Sequence, residues 1–261
     1  MSRKLALAAL FTALFVPAAV SQWPAASLAG WVEDNSGGRW KLSGAEGTLW
    51  NGSATLLVTE SGGASTSTQR WRVVQNVRWR WRWLEILQGR LAFDAGLEQG
   101  GALIAVSSGG VSVENLDTTL PASVLGGLLT GPLARYGWTG NLQARSAAFK
   151  CAWSGHACAG EVEILWSNAG ISEISQTTLG SYRSRIIGEG QAVHFDLATL
   201  DGRLQIAGTG DVDSAGTRFT GEAYAQGAEA DRLEAHLRTF GQRGGSAGKY
   251  VLDYRDGGKP R

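Results

Sequence analysis

Between residues 71 and 83 the chain reads WRVVQNVRWRWRW, and this stretch restricts the fold more tightly than any other. Its odd positions carry Trp71, Val73, Val77, Trp79, Trp81 and Trp83, while its even positions carry Arg72, Arg78, Arg80 and Arg82. Side chains of an extended backbone point alternately to opposite faces. A period of two held this long therefore predicts a long β-strand with one apolar and one basic face.

Shorter stretches follow the same rule. Val162, Ile164 and Trp166 share a face, as do Val193, Phe195 and Leu197, and then Leu204 with Ile206. Turn chemistry separates them: SSGG at 107–110, GEGQ at 188–191 and DSAG at 213–216. Their spacing indicates consecutive antiparallel strands. Glycine is abundant at 37 residues and proline scarce at 5, which suits many short strands and turns. Helices are expected at 23–32, with Pro24 in the first turn, and at 120–129, where a similar string recurs. A third is expected at 228–240, where Leu233, Leu237 and Phe240 fall on one face and Gly241 ends it. YVLDY then forms a last strand, and SGGASTST at 61–68 reads as a long hairpin loop. The predicted class is mainly β, a long antiparallel twisted sheet or sheets with two or three short helices. Residues 23–261 form one β-rich domain, or two similar lobes, 23–119 and 120–261, each begun by a PAS-type helix.

Arg3 and Lys4 precede an uncharged apolar stretch, LALAALFTALFVPAAV, at residues 5–20. As a helix it spans about 24 Å, short of the roughly 30 Å hydrocarbon core. That length fits a signal-peptide core or an inner-membrane anchor completed by Trp23 at the interface. Leu5, Leu7, Leu10, Phe11, Leu14, Phe15 and Val16 are the candidate anchor residues. Ala19, Val20 and Ser21 offer a small-residue cleavage site. In either case the basic flank stays cytoplasmic and residues 23–261 are exported to the periplasm. Cys151 and Cys158 are the only cysteines, and an exported pair this close reads as a disulfide. His156 lies between them, but no second nearby ligand supports zinc.

The remaining motifs are weak as chemistry. GGSAG at 244–248 fits the serine-hydrolase elbow but follows a helix, and no histidine comes after it. DVDSAGTRFTGE at 211–222 resembles a calcium loop, yet Ala215 stands where an acid or amide is needed and its flanks are strands. His156, His194 and His236 are scattered. No catalytic residue, metal or cofactor is expected. A formal net charge of +1 argues against nucleic acid as a partner. The ladder is the candidate interaction or lipid face. Arg78, Arg80 and Arg82 suit anionic head groups or an acidic partner, and Trp79, Trp81 and Trp83 suit apolar chains. Its structural reading is a core of tryptophans under a solvated arginine face.

Seven strings, most of them glycine-punctuated, run along the exported region: SGAEGTLWNGSATLLV (43–58), LEILQGRLAF (84–93), LPASVL (120–125), GEVEILWSNAG (160–170), LGSYRSRIIGEG (179–190), GRLQIAGTGDV (202–212) and FTGEAYAQ (219–226). Together, in this order, they resemble the type II secretion system protein N family of Gram-negative bacteria. The resemblance implies a single-pass inner-membrane protein with a β-rich periplasmic domain and no catalytic residues. It would act in the export of folded proteins across the outer membrane through contacts with other components of the machine. It also implies an architecture similar to the open, groove-like sheets of AsmA-type envelope proteins. The competing expectation is a periplasmic lipid-binding or lipid-transfer protein, with an acyl chain held along the tryptophan face.

Overall fold

The computed structural model describes residues 15, 20–60, 70–129, 136–153, 157–174, 177–214, 216–227, 230–244 and 248–257. The expected loop at 61–68 lies outside them. Fourteen strands form one open antiparallel sheet, laid down in chain order except that the last two exchange places. The first six are β1 (Trp40–Gly47), β2 (Asn51–Glu60), β3 (Arg70–Trp81), β4 (Arg90–Leu97), β5 (Gly100–Ser107) and β6 (Gly110–Pro121). There follow β7 (Trp138–Ala152), β8 (Cys158–Ile171), β9 (Gly180–Gly190), β10 (Val193–Gly202), β11 (Leu204–Asp213) and β12 (Gly216–Ala225). β14 (Lys249–Gly257) lies against β12, and the two-residue β13 (Gln242–Arg243) closes the far edge. The three glycine-punctuated turns fall where the sequence places them, between β5 and β6, β9 and β10, and β11 and β12. β6 runs through the 119/120 position and pairs along its length with β5 and β7.

The ladder is a strand, with one correction. Leu56 is opposite Gln75 but Leu57 is opposite Val73, so Val74 is an extra residue in β3. Such a bulge turns two successive side chains to the same side, and Val74 and Gln75 are both buried. Upstream of it the alternation changes phase. Val73 and Trp71 share the face of Leu57 and Thr59, opposite to Val77, Trp79 and Trp81, and Val73 is 61% exposed. The strand also ends at Trp81, because Trp83 opens a 3-10 helix, Trp83–Gln88.

The helices explain how the sheet closes its core. α1 (Ala26–Asn35) starts after the expected residue, because Pro24 is taken up in a bridge to Thr48. The 120–129 string forms a 3-10 turn, Ala122–Val124, running into α2 (Leu125–Leu128). Beyond Val77, the upstream half of β3 pairs only with β2. There the Asn76 N–H donates instead to the Glu98 carboxylate at 3.2 Å. The sheet opens at this point, and the Ala122–Leu128 segment fills the opening as a plug. Ala122 and Val124 pack with Val58 and Val74 on one side and Leu142 on the other, with Trp40, Leu56, Trp138 and Trp166 around them. Each buried aliphatic side chain of this kind contributes roughly 1.5–3 kcal/mol. α1 roofs a second cluster of Ala25, Leu42, Ala54 and Trp79. α3 (Ala230–Phe240) covers the last strands, burying Leu233 and Leu237, and the latter packs with Ala223 and Tyr250.

Between β10 and β12 two aromatic rings lie flat over β11. Phe195 and Phe219 stack at 6.0 Å across Gly210 and Gly208. A Cβ on Gly210 would come within 2.3 Å of the Phe195 ring. The missing side chains form the floor on which the rings rest.

Cys151 and Cys158 face each other as register partners at the end of the β7–β8 hairpin and are joined as a disulfide. With a sequence separation of 7, chain entropy gives the bond roughly 2–3 kcal/mol. The variant carrying both Cys151→Ser and Cys158→Ser is therefore expected to unfold at a lower denaturant midpoint with an unchanged slope. Reduced wild type should fall to the same midpoint. An identical midpoint for oxidised wild type and variant would show that the hairpin holds itself.

Candidate interaction surface

The aromatic half of β3 is divided between core and rim. Trp79 is 9% exposed, and its indole N–H donates to the carbonyls of Thr48 and Leu49 at 3.2 and 3.0 Å. A buried tryptophan needs such a partner for its N–H. Trp81 packs on Trp50 at 4.8 Å between ring centroids, and its Nε1 is buried without a hydrogen bond to the described residues. Trp83, past the strand, is exposed. Arg78 and Arg80 project from the other face into solvent. Arg82 leaves the strand and pairs with Asp94 at 3.2 Å and Glu85 at 3.7 Å. The six ladder residues are thus not gathered on one surface. Trp79 and Trp81 are taken up by packing, which leaves Trp83 as the tryptophan that an acyl chain or a partner can reach.

The 3-10 helix is a surface that sequence reasoning missed. Trp83, Leu84, Ile86 and Leu87 are all exposed, Leu87 at 82%. The helix is pinned to the sheet by charge. Arg90 Nε donates to Glu85 at 2.7 Å and its Nη1 to Glu114 at 2.7 Å. The hydrogen bond to Glu85, followed by that to Glu114, holds the Arg90 guanidinium above its ordinary pKa. The signal in the sequence was WLEILQG, an apolar run ended by a glycine and too short to be another strand.

Other polar groups are structural. Arg185 forms two hydrogen bonds to Glu161, at 2.5 and 2.8 Å, and these hold that carboxyl below the usual range. Tyr182 donates to the Leu204 carbonyl at 2.8 Å, and burial pushes its phenol pKa up. His194 Nδ1 meets the exposed Asp211 carboxylate across β10 and β11. His236 lies on α3, while His156, Ala215 and Ser246 fall outside the described residues. Among the described residues no three His, Cys, Asp or Glu side chains are placed to hold a metal.

Of the anchor candidates, Phe15 is helical and exposed. Leu5, Leu7, Leu10, Phe11, Leu14 and Val16 lie outside the described residues. Among those described, no helix is long and apolar enough to cross a membrane.

The sheet is open at both ends. β1 pairs with β2 alone, and its register shifts between Ser43 and Glu46. On the outer side of β14, β13 pairs with Tyr250 and Val251. Charged residues mark both edges: Lys41 with Glu33 at 3.7 Å, and Lys249, Asp253 and Arg255 along β14. Charge of this kind discourages indiscriminate strand pairing without blocking a specific partner.

No curated protein and no solved structure matches the chain. A family model described as type II secretion system (T2SS), protein N, matches residues 38–253, which takes in β1 through most of β14. The chain belongs to the type II secretion system protein N family.

Proposed function

We propose that this chain is a non-catalytic component of the type II secretion system, held at the inner membrane by residues 5–20 with its sheet in the periplasm. Its sheet edges contact other components of the machine during export of folded proteins. The observation that carries this reading is the family match over residues 38–253, on a sheet that ends in edge strands β1 and β14/β13. A sheet edge can take up an added strand from a partner, and the side chains that flank it select which one. The apolar residues 5–20 behind a basic flank support the anchor.

Deleting the gene in a bacterium that carries the system should leave secreted folded proteins in the periplasm, and the intact chain should restore their export. A photo-crosslinking residue at Asp253, on β14, should capture another secretion component. The same residue at Thr209, within the sheet on β11, should not. Undiminished secretion of every folded exoprotein in the deletion strain would end this reading. Secretion lost without capture at Asp253 would leave the family role and remove the edge as its contact.

A further inference from the structure

The antiparallel order places every second connection on the same rim of the sheet. One rim holds the β1–β2 turn, the 3-10 helix between β3 and β4, the β5–β6 turn, the β7–β8 connection and, toward the far edge, the β9–β10 and β11–β12 turns. The N-terminal segment reaches this same rim. The Trp50 indole, in the β1–β2 turn, donates to the Val20 carbonyl at 2.7 Å, and Leu49 N–H donates to the Trp23 carbonyl at 2.8 Å. Trp50 in turn packs on Trp81, the last residue of β3, whose N–H donates to the Trp50 carbonyl at 2.7 Å. Two residues further on, Trp83 begins the exposed 3-10 helix.

The part of this rim from the N-terminal segment to β8 is rich in exposed apolar side chains, while its β9–β10 and β11–β12 turns carry exposed Glu189, Gln191 and Ser214. Trp23 is 50% exposed, Trp83 65%, Leu87 82% and Trp153 60%. The Trp153 indole N–H donates to the Ser107 carbonyl at 2.8 Å, and Ser107 is opposite Arg90, the residue that pins the 3-10 helix. The opposite rim carries Glu98, Gln99, Asp201, Arg203 and Gln226 in its turns, with Leu128 and Leu200 as exposed apolar exceptions. The two ends of the sheet are therefore chemically different. Tryptophans with one polar and one apolar end collect where water meets hydrocarbon.

We propose that this tryptophan- and leucine-bearing rim rests on the lipid surface, the 3-10 helix Trp83–Gln88 inserting its apolar side chains at the level of the acyl chains. The inference rests on the reading of residues 5–20 as a membrane anchor and deepens it: the segment leaves the sheet at the rim that the bilayer would meet. A tether that leaves the sheet at this rim brings it within reach of the surface, so even weak insertion by a short helix is effective. Arg82 pairs with Glu85 and Asp94, and Arg90 with Glu85 and Glu114, so both cations beside the helix are already matched by carboxylates. The contact is accordingly apolar, and zwitterionic lipid suffices for it.

The test uses the full chain in phosphatidylcholine vesicles containing a lipid with a nitroxide high on its acyl chain. The native cysteines are held in the disulfide, so Leu87→Cys or Leu84→Cys provides a unique thiol for an environment-sensitive nitrobenzoxadiazole label. Leu200→Cys, 52% exposed near the opposite rim, is the control. Labels at 84 and 87 should shift to the blue and lose about half their emission to the nitroxide, in neutral and anionic vesicles alike. The label at 200 should do neither. Alkaline carbonate extraction, read in parallel, reports on the anchor. If the chain resists extraction while the labels at 84 and 87 behave like that at 200, the rim contact is overturned and the anchor stands. If carbonate releases the chain while 84 and 87 are quenched beforehand, the rim contact stands and the anchor fails. A chain that does not float with vesicles overturns both, and quenching confined to anionic vesicles overturns the apolar contact.

Discussion

Replacing Val124 by aspartate is expected to cost a large share of the stability of the domain. Val124 is 3% exposed and packs with Val58, Val74 and Leu142. The substitution removes a buried aliphatic side chain, about 1.5–3 kcal/mol, and leaves a carboxyl with no partner in an apolar cluster, roughly 1–3 kcal/mol more. Against a total stability of about 5–15 kcal/mol this lowers the melting temperature by about 10–20 °C. The loss carries a sign in pH. A buried carboxyl without a cation has a folded pKa above its unfolded value, so its penalty is full above the folded pKa. It shrinks as pH falls toward the unfolded value, where the group is neutral in both states. Thermal melts at pH 7 and pH 4, each referred to wild type at the same pH, should show a smaller difference at pH 4. The companion Val124→Ala should cost about 2 kcal/mol with no such dependence. If Val124→Asp melts like wild type, the 122–128 segment does not carry the core.

Gly100→Ala is expected to be nearly as damaging, for a backbone reason. Gly100 opens β5 with φ +101°, and a Cβ there would lie 1.8 Å from the Asp117 carbonyl oxygen on β6. That backbone oxygen cannot turn away as a side chain can. The strained φ costs roughly 1–3 kcal/mol and the overlap about as much again. Relief lies at the existing register shift between Gly101 and Leu103, so damage should concentrate in β4 to β6. Hydrogen exchange should show protection lost at Leu103 and Glu114 before β9 to β12 change, together with a melting temperature lower by about 8–15 °C. A wild-type exchange pattern would mean that β5 and β6 separate at Gly100 without cost.

Much of the fold was legible because alternation and turn chemistry are local. Val193, Phe195 and Leu197 share a face in β10, and SSGG, GEGQ and DSAG turn the chain where expected. What escaped depends on distant neighbours. Val73 and Val74 are the same residue type in succession, so the strand could be read in either phase, and only pairing with Leu56 and Leu57 reveals the bulge. The string at 120–129 could be read as helical, but not as a plug, because its partners Val58 and Leu142 lie on strands far from it in sequence. For the surface, composition made the tryptophans conspicuous without saying which are buried. Trp79 and Trp83 look alike in the ladder, yet one ends in the core and the other on the rim. Nothing in the run of Leu84, Ile86 and Leu87 marks it as exposed, since apolar runs are usually buried. Their exposure follows from a connection too short to fold back over the sheet.

Twelve strands laid down in chain order give this protein a direction of assembly. Each of β2 to β12 pairs with the strand made just before it. Every hairpin therefore closes a short loop, and the entropy of closing long ones is mostly avoided. A chain made from its N-terminus can add strands to a growing edge in the order in which they appear. The plug arrives after β2 and β3 are available and needs only β7 and β8 to complete its cluster. β13 alone must wait, since its partner β14 is made after it. The edge of the sheet is thus finished only once β14 has appeared.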